Sequence, residues 1–340
     1  MLFSKINIFS MWLIILGLSV VSIILIGGYT RISDSGLSIT EWLPLSGILY
    51  PISDASWEIE FNKYKMIDEF MLVNSTMTLA EFKVIYFWEW FHRAFARLIG
   101  LIYIVPLIYL IISKNIPRRY YFNVLLIGLL LATQAIVGWY MVKSGLTDRV
   151  DVSQYRLSLH LTIAFVILGL IFYLLLRFVC AHKINEDFIM QNKLILTIFI
   201  LIFFQILYGA FVSGTDSGLL YNTWPFYNGK VIPEDLIIEN RYLFSFFENK
   251  EFILFVHRTF AFILLFVIIF LNFIILNNNS KQESLILIIS FDIVFLIQGG
   301  IGVLMTFLNI PWYLALTHQG NSIILFLLSI YMCFLSRKSS

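Results

Sequence analysis

FWEWFHRAFARLIGLIYIVPLIYLII (Phe87–Ile112) is an apolar run with an acid, a histidine and two arginines near its start and no charge after Arg97. A helix rises 1.5 Å per residue, so roughly 20 such residues cross the hydrocarbon core of a bilayer. The run therefore predicts a transmembrane helix with His92 just inside one end. Imidazole is costly in hydrocarbon unless something uses it, which makes such a histidine a functional candidate.

Seven further runs of this kind lie at about Phe9–Gly27, Tyr120–Met141, Leu157–Ala181, Leu194–Ser213, Glu251–Leu276, Ser284–Phe307 and Pro311–Leu335. The composition agrees: 60% of residues are hydrophobic, 13% are charged and the mean hydropathy is +0.88, far more apolar than an ordinary soluble domain. The expected fold is an all-α integral membrane protein with eight transmembrane helices. A net charge of +2 gives no reason to invoke nucleic acid.

Basic residues near short connections prefer the cytoplasmic side. Lys5, Lys114, Arg118, Arg119, Arg177, Lys183, Lys193, Lys281, Arg337 and Lys338 all fall on one side, which predicts cytoplasmic N- and C-termini. The long connections 28–86 and 214–250 then lie outside. The first run is too long for a signal-peptide core and lacks a small-residue cleavage pattern, so it is expected to be retained. The absence of an Arg-rich leader favours a bacterial inner membrane, with the sites near its outer, periplasmic face. Cys180 and Cys333 sit near inner ends, where disulfides are disfavoured, and read as packing residues.

The chain repeats itself. Asp34-Ser-Gly-Leu37, Trp42 and Gly47 return 182 positions later as Asp216-Ser-Gly-Leu219, Trp224 and Gly229. His92-Arg93 returns as His257-Arg258, Gln134-x-x-x-Gly138 as Gln298-x-x-x-Gly302, and His160 as His318. The order is kept while connections change length, so two tandem, pseudo-symmetric four-helix bundles are expected, residues 1–183 and 184–340. An even number of spans gives both halves the same orientation.

His92, His160, His257 and His318 all lie a few residues inside the outer ends of their runs. Two facing imidazoles in a four-helix unit form a natural axial pair for haem iron. Zinc would need three or four clustered ligands, and no Cys or carboxylate cluster completes such a set. Both pairs lie at one face, which disfavours electron transfer across the bilayer. Arg93 and Arg258 follow a ligand candidate and are suited either to a haem propionate or to interfacial anchoring; Arg97 and Arg156 add charge in the first half only. His182, beside Lys183, reads as solvated. Glu89 lies three residues before His92, on the same helix face, where the second half has Leu254. A carboxylate at one site only points to chemistry in the first half and electron storage or relay in the second, with burial suiting Glu89 to proton transfer. Asp292 has no first-half counterpart; a structural hydrogen bond is one role open to it, and it is left unassigned. Gly128 and Ala132 form a small-residue pair suited to helix contacts, within one chain or in a homo-oligomer.

Gly27-Gly-Tyr-Thr-Arg31, Ser35-Gly-Leu-Ser-Ile-Thr-Glu-Trp42, Glu81-Phe-Lys83, Glu89-Trp-Phe-His-Arg93 and Gln154-Tyr-Arg-Leu157 with His160 resemble the haem A synthase family of bacteria and mitochondria. The resemblance runs from the first span to His318. It implies eight spans in two halves and oxidation of a haem O ring methyl to a formyl group through hydroxylated intermediates, feeding cytochrome oxidase assembly. It also implies that His92 and His160 flank substrate haem O, with Glu89 the essential acid, and that His257 and His318 ligate a haem b cofactor. Haem O synthase is the expected supplier of substrate, cytochrome oxidase assembly factors are expected partners, and the electron donor is open. The outer-loop cysteine pair of some members is missing, so a thiol-based reduction step is not expected. A bis-histidine iron has no free position for oxygen. Either one of His92 and His160 leaves, or the methyl is oxidised by electron removal with water supplying the oxygen. The rival readings are a dihaem electron-transfer cytochrome and a haem-handling protein.

Overall fold

The computed structural model describes residues 7–42, 46–147, 150–180, 188, 191–234, 236, 242–277 and 281–337. Lys5, His182, Lys183 and Lys338 lie outside the described residues, and so does the expected boundary between the halves at residues 183 and 184.

Among the described residues eight helices are long and apolar enough to cross a membrane. They are α1 (Ile8–Ile32), α4 (Leu79–Ile112), α5 (Tyr121–Gly145), α6 (Gln154–Val179), α7 (Asn192–Gly214), α9 (Lys250–Asn277), α10 (Gln282–Phe307) and α11 (Trp312–Leu335). Short helices α2 (Asp54–Tyr64), α3 (Asp68–Leu72) and α8 (Tyr242–Glu248) lie in the connections.

The long first connection, placed at 28–86 from sequence, contains α2 and α3 and is shortened at both ends by its flanking helices. α1 continues to Ile32 and α4 begins at Leu79, so His92 sits more than three turns along its helix. The reason is local: Thr78 caps α4, accepting from Glu81 N while Glu81 accepts from Thr78 N at 2.8 Å, and such a capping box satisfies orphan N–H groups wherever the apolar stretch begins. The polar first turns of α4 pack against α2, which has its own capping box between Ser53 and Ser56. Trp57, Phe61 and Tyr64 of α2 meet Phe82 and Tyr86 of α4 and Ile39 of the loop in a small aromatic core. Each large side chain so buried contributes on the order of 2 kcal/mol, enough to hold this segment on the end of α4.

Two compact units are present: Met11–Leu168, and Gly169 onward together with the start of α1. In the first, Trp12 Nε1 of α1 donates to Ile102 O of α4 at 2.9 Å, and Tyr103 OH of α4 donates to Val124 O of α5 at 2.8 Å. Gly128 lies directly under the Tyr103 hydroxyl, where no side chain fits, so this small residue serves an α4–α5 contact inside the chain. In the second unit α7 packs on α9 and α11, and α10 packs on both α9 and α11, closing a ring of four.

The repeat is visible in the backbone. Both Asp-Ser-Gly-Leu segments follow a helix end, and their aspartates take left-handed φ angles, 47° at Asp34 and 54° at Asp216. Aspartate tolerates that conformation better than most residues and serves to turn the chain off a helix.

Candidate functional site

Each of the four membrane histidines lies against a glycine of a neighbouring helix. A methyl group added at Gly27 of α1 would come within 3.2 Å of His92 Nε2 on α4, and one at Gly138 of α5 within 2.9 Å of His160 Cε1 on α6. In the second unit the pairs are Gly209 of α7 with His257 of α9 at 3.5 Å, and Gly302 of α10 with His318 of α11 at 3.3 Å. Glycine admits close approach because it has no Cβ. His92 and His160 lie in the first unit, and His257 and His318 in the second.

Three of the glycines are preceded by glutamine at i−4, on the same helix face. Gln134 Nε2 donates to His160 O at 3.0 Å, Gln205 Nε2 donates to His257 O at 2.8 Å, and Gln298 Nε2 lies 3.0 Å from His318 Nε2. Gln298 Oε1 also accepts from Asn321 Nδ2 at 2.8 Å. The ring Nδ1 atoms of His160, His257 and His318, and the Oε1 atoms of Gln134 and Gln205, are buried without a hydrogen-bond partner. The fourth glycine, Gly27, has Ile23 four residues before it.

Glu89 is buried, at 2% exposure, but it does not stand alone beside His92. Its Oε2 accepts from Ser38 Oγ at 2.6 Å and from Ile39 N at 2.7 Å, and its Oε1 meets Arg93 Nη2 at 2.5 Å. Arg93 also donates to the carbonyl oxygens of Ile39 at 3.0 Å and Glu41 at 3.1 Å, and its guanidinium lies over Trp42. Carboxylate and guanidinium together staple the segment from Ser38 to Trp42 onto α4. Glu89 is therefore a loop anchor, and its carboxylate is matched by charge-assisted hydrogen bonds.

Arg258 repeats half of this device. It donates from Nη1 to Thr223 O at 3.0 Å, and Thr223 is the residue 182 positions after Glu41. Its guanidinium lies over Tyr227, and Nη2 is buried without a hydrogen-bond partner. With Leu254 in place of a carboxylate, no acid completes the staple. Arg156 donates to Tyr140 OH at 3.3 Å. Arg97 and Arg93 line an open cavity of about 650 Å³ between the 39–60 segment and α4. Asp292, unassigned from sequence, accepts from Asn272 Nδ2 at 2.8 Å across α9 and α10.

Sequence reading missed two parts of this arrangement. Gln205-x-x-x-Gly209 is a third copy of the Gln–Gly pattern, and Gly27 corresponds to Gly209 at the same 182-residue spacing as the Asp-Ser-Gly-Leu turns; aligning α1 on α7 finds both. The aromatic core around Trp57 was hidden because its residues alternate with charges over a stretch with little apolar periodicity.

A metal site of three or more clustered His, Cys, Asp or Glu side chains is absent among the described residues. A cofactor whose iron takes two axial ligands fits the paired histidines, the unpartnered ring nitrogens and the side-chain-free glycine faces.

Comparison with known proteins gives a consistent result. A family model described as COX15-CtaA, cytochrome oxidase assembly protein, matches residues 10–330. A protein of Pelagibacter ubique named Heme A synthase is 40% identical over 335 residues, covering 97% of this chain and 96% of the relative. Proteins of the same name from Wolbachia pipientis wMel and Rhizobium rhizogenes are 37% and 38% identical, covering 97% and 93% of this chain and 93% and 86% of their own lengths.

Proposed function

The chain belongs to the COX15-CtaA family of cytochrome oxidase assembly proteins, and on that premise we propose that it is a haem A synthase, an oxidoreductase that converts a ring methyl of haem O to the formyl group of haem A. It is a multi-pass membrane protein. The observation that carries the reading is the glycine-backed histidine pair in each unit, with the buried carboxylate Glu89 at one pair only.

In this reading His92 and His160 hold the iron of substrate haem O, and His257 and His318 hold a resident haem b. Haem b supplies one-electron redox chemistry when bound. The residues of the chain bind, orient and exclude water. Gly27 and Gly138 let the imidazoles of the first unit lie close to α1 and α5, which restricts their rotation. Glu89 holds the 38–42 segment against α4 through Ser38 and Ile39. Arg93 pairs with the Glu89 carboxylate and holds the same segment by its carbonyl groups. In the second unit the buried Nη2 of Arg258 is suited to an anionic group such as a propionate.

The basic residues on the short connections support cytoplasmic termini, and the internal repeat supports residues 1–183 and 184–340 as the two halves. The sites then face the outer side of a bacterial inner membrane. Haem O synthase delivers substrate in this scheme, and cytochrome oxidase assembly factors receive product.

The test is mass spectrometry of haems extracted from membranes of a host that makes haem O but not haem A, expressing this chain or its Glu89→Ala form. Haem A or its hydroxylated precursor with the first and neither with the second is expected. Unchanged haem O with a folded, haem-containing protein would overturn the reading in favour of an electron-transfer cytochrome.

A further inference from the structure

We propose that the three glutamines fix the histidines they face and that His92, which has none, is the axial ligand that yields during turnover. This rests on the haem reading above and deepens it.

The asymmetry is geometric. Gln134 and Gln205 each use Nε2 to hold the carbonyl of the very histidine that faces the glycine one turn away, at 3.0 and 2.8 Å. Each keeps a buried Oε1 without a partner, and the same histidine keeps a buried Nδ1 without one. Each of these residue pairs is thus left with one amide oxygen and one ring nitrogen unused. A histidine that ligates a metal ordinarily donates its other ring N–H to such an acceptor, which fixes the tautomer and makes the ligand more basic. Gln298 serves His318 differently, by contact with the ring nitrogen itself. At His92 the corresponding side chain is Ile23, and a hydrocarbon can neither hold the carbonyl nor accept from the ring.

Both histidines of the second unit thus have a glutamine against them, at the backbone of His257 and at the ring of His318. In the first unit His160 has a glutamine against it and His92 has Ile23 in that place. Of the two routes left open by a saturated iron, this favours departure of a histidine, and it assigns the departure to His92 on the α1 side. Ile23 and the glutamines touch no reacting atom in this scheme; they are positioning residues.

Carbon monoxide binding to the dithionite-reduced, haem-containing protein reads this directly, because a six-coordinate iron accepts the gas only when a ligand leaves. Wild type should bind it at the first site. Ile23→Gln should lower the bound fraction about fivefold, the ratio one added hydrogen bond represents, while Ile23→Met, similar in length without the amide, should not. Gln205→Met should create binding at the second site. Unchanged binding in Ile23→Gln, or none gained in Gln205→Met, at equal haem content would overturn the proposal. If Ile23→Gln does not take up haem, Gln134→Met decides: a larger bound fraction supports the assignment and an unchanged one refutes it. Failure of the synthase reading shows separately, as absence of haem A from extracts with the gas-binding pattern intact.

Discussion

Glu89 accepts the backbone N–H of Ile39 at 2.7 Å, so the acid that distinguishes the first unit from the second is also the post from which the outer loop hangs. Two losses are therefore expected from one substitution. Glu89→Ala removes three hydrogen bonds and leaves the Arg93 guanidinium without its carboxylate, a change that costs about 3 kcal/mol or more for a buried pair. Protease cleavage between residues 40 and 52 should accelerate together with loss of haem A. Glu89→Gln keeps an acceptor for Ser38 and Ile39, so it should restore protease resistance without restoring haem A. Restored product would show that the carboxylate acts only as a loop anchor.

The glycines should differ in tolerance. A methyl at Gly138 meets His160 Cε1 at 2.9 Å, whereas one at Gly209 meets His257 at an ordinary 3.5 Å. Gly138→Ala should displace the imidazole and abolish the low-spin haem signal of the first unit in electron paramagnetic resonance. Gly209→Ala should retain the signal of the second. Equal effects from both would argue that the glycines serve helix packing and not the rings.

Arg93 and Arg258 make equivalent loop contacts at 3.1 and 3.0 Å but differ in partner. Arg93→Met strands the buried Glu89 and should cost about 3–5 kcal/mol. Arg258→Met removes a single hydrogen bond and a contact with the Tyr227 ring, about 1–2 kcal/mol together. Thermal unfolding followed by haem release should rank the two in that order, and the reverse order would refute the staple.

Glu69, in the outer segment, is buried, and its Oε2 has no partner. Burial raises its carboxyl from the ordinary 4.5 to about 8, against a hydrogen bond from Tyr64. The folded segment therefore keeps this proton between about pH 4.5 and 8 while the unfolded chain releases it, so stability is full below that window, falls across it and levels off above. Proteolysis of residues 54–77 should be roughly tenfold or more faster at pH 8 than at pH 5. Glu69→Gln should flatten the profile, and a profile unchanged by that substitution would exclude Glu69 as its cause.

The eight spans were legible because hydrocarbon leaves a long apolar signature, and the four histidines because imidazole has no casual place in such a run. The repeat was legible through Asp, Trp, Gln and Gly, which a Leu- and Ile-rich background does not generate by chance. Glu89 was legible as an asymmetry, since Leu254 stands opposite it in the repeat. What sequence determined, then, was which residues are out of place in a membrane and how they recur.

Tertiary structure decided what each of them touches. That Glu89 carries the outer loop depends on Ser38 and Ile39, about fifty positions away, and that Arg93 and Arg258 are equivalent depends on carbonyl groups, which no side chain reports. That a glycine stands behind each imidazole emerges only when helices are set side by side. Apolar transfer is a property of each residue and can be read along the chain; hydrogen bonding and close approach are properties of pairs, and the pairs are made by the fold.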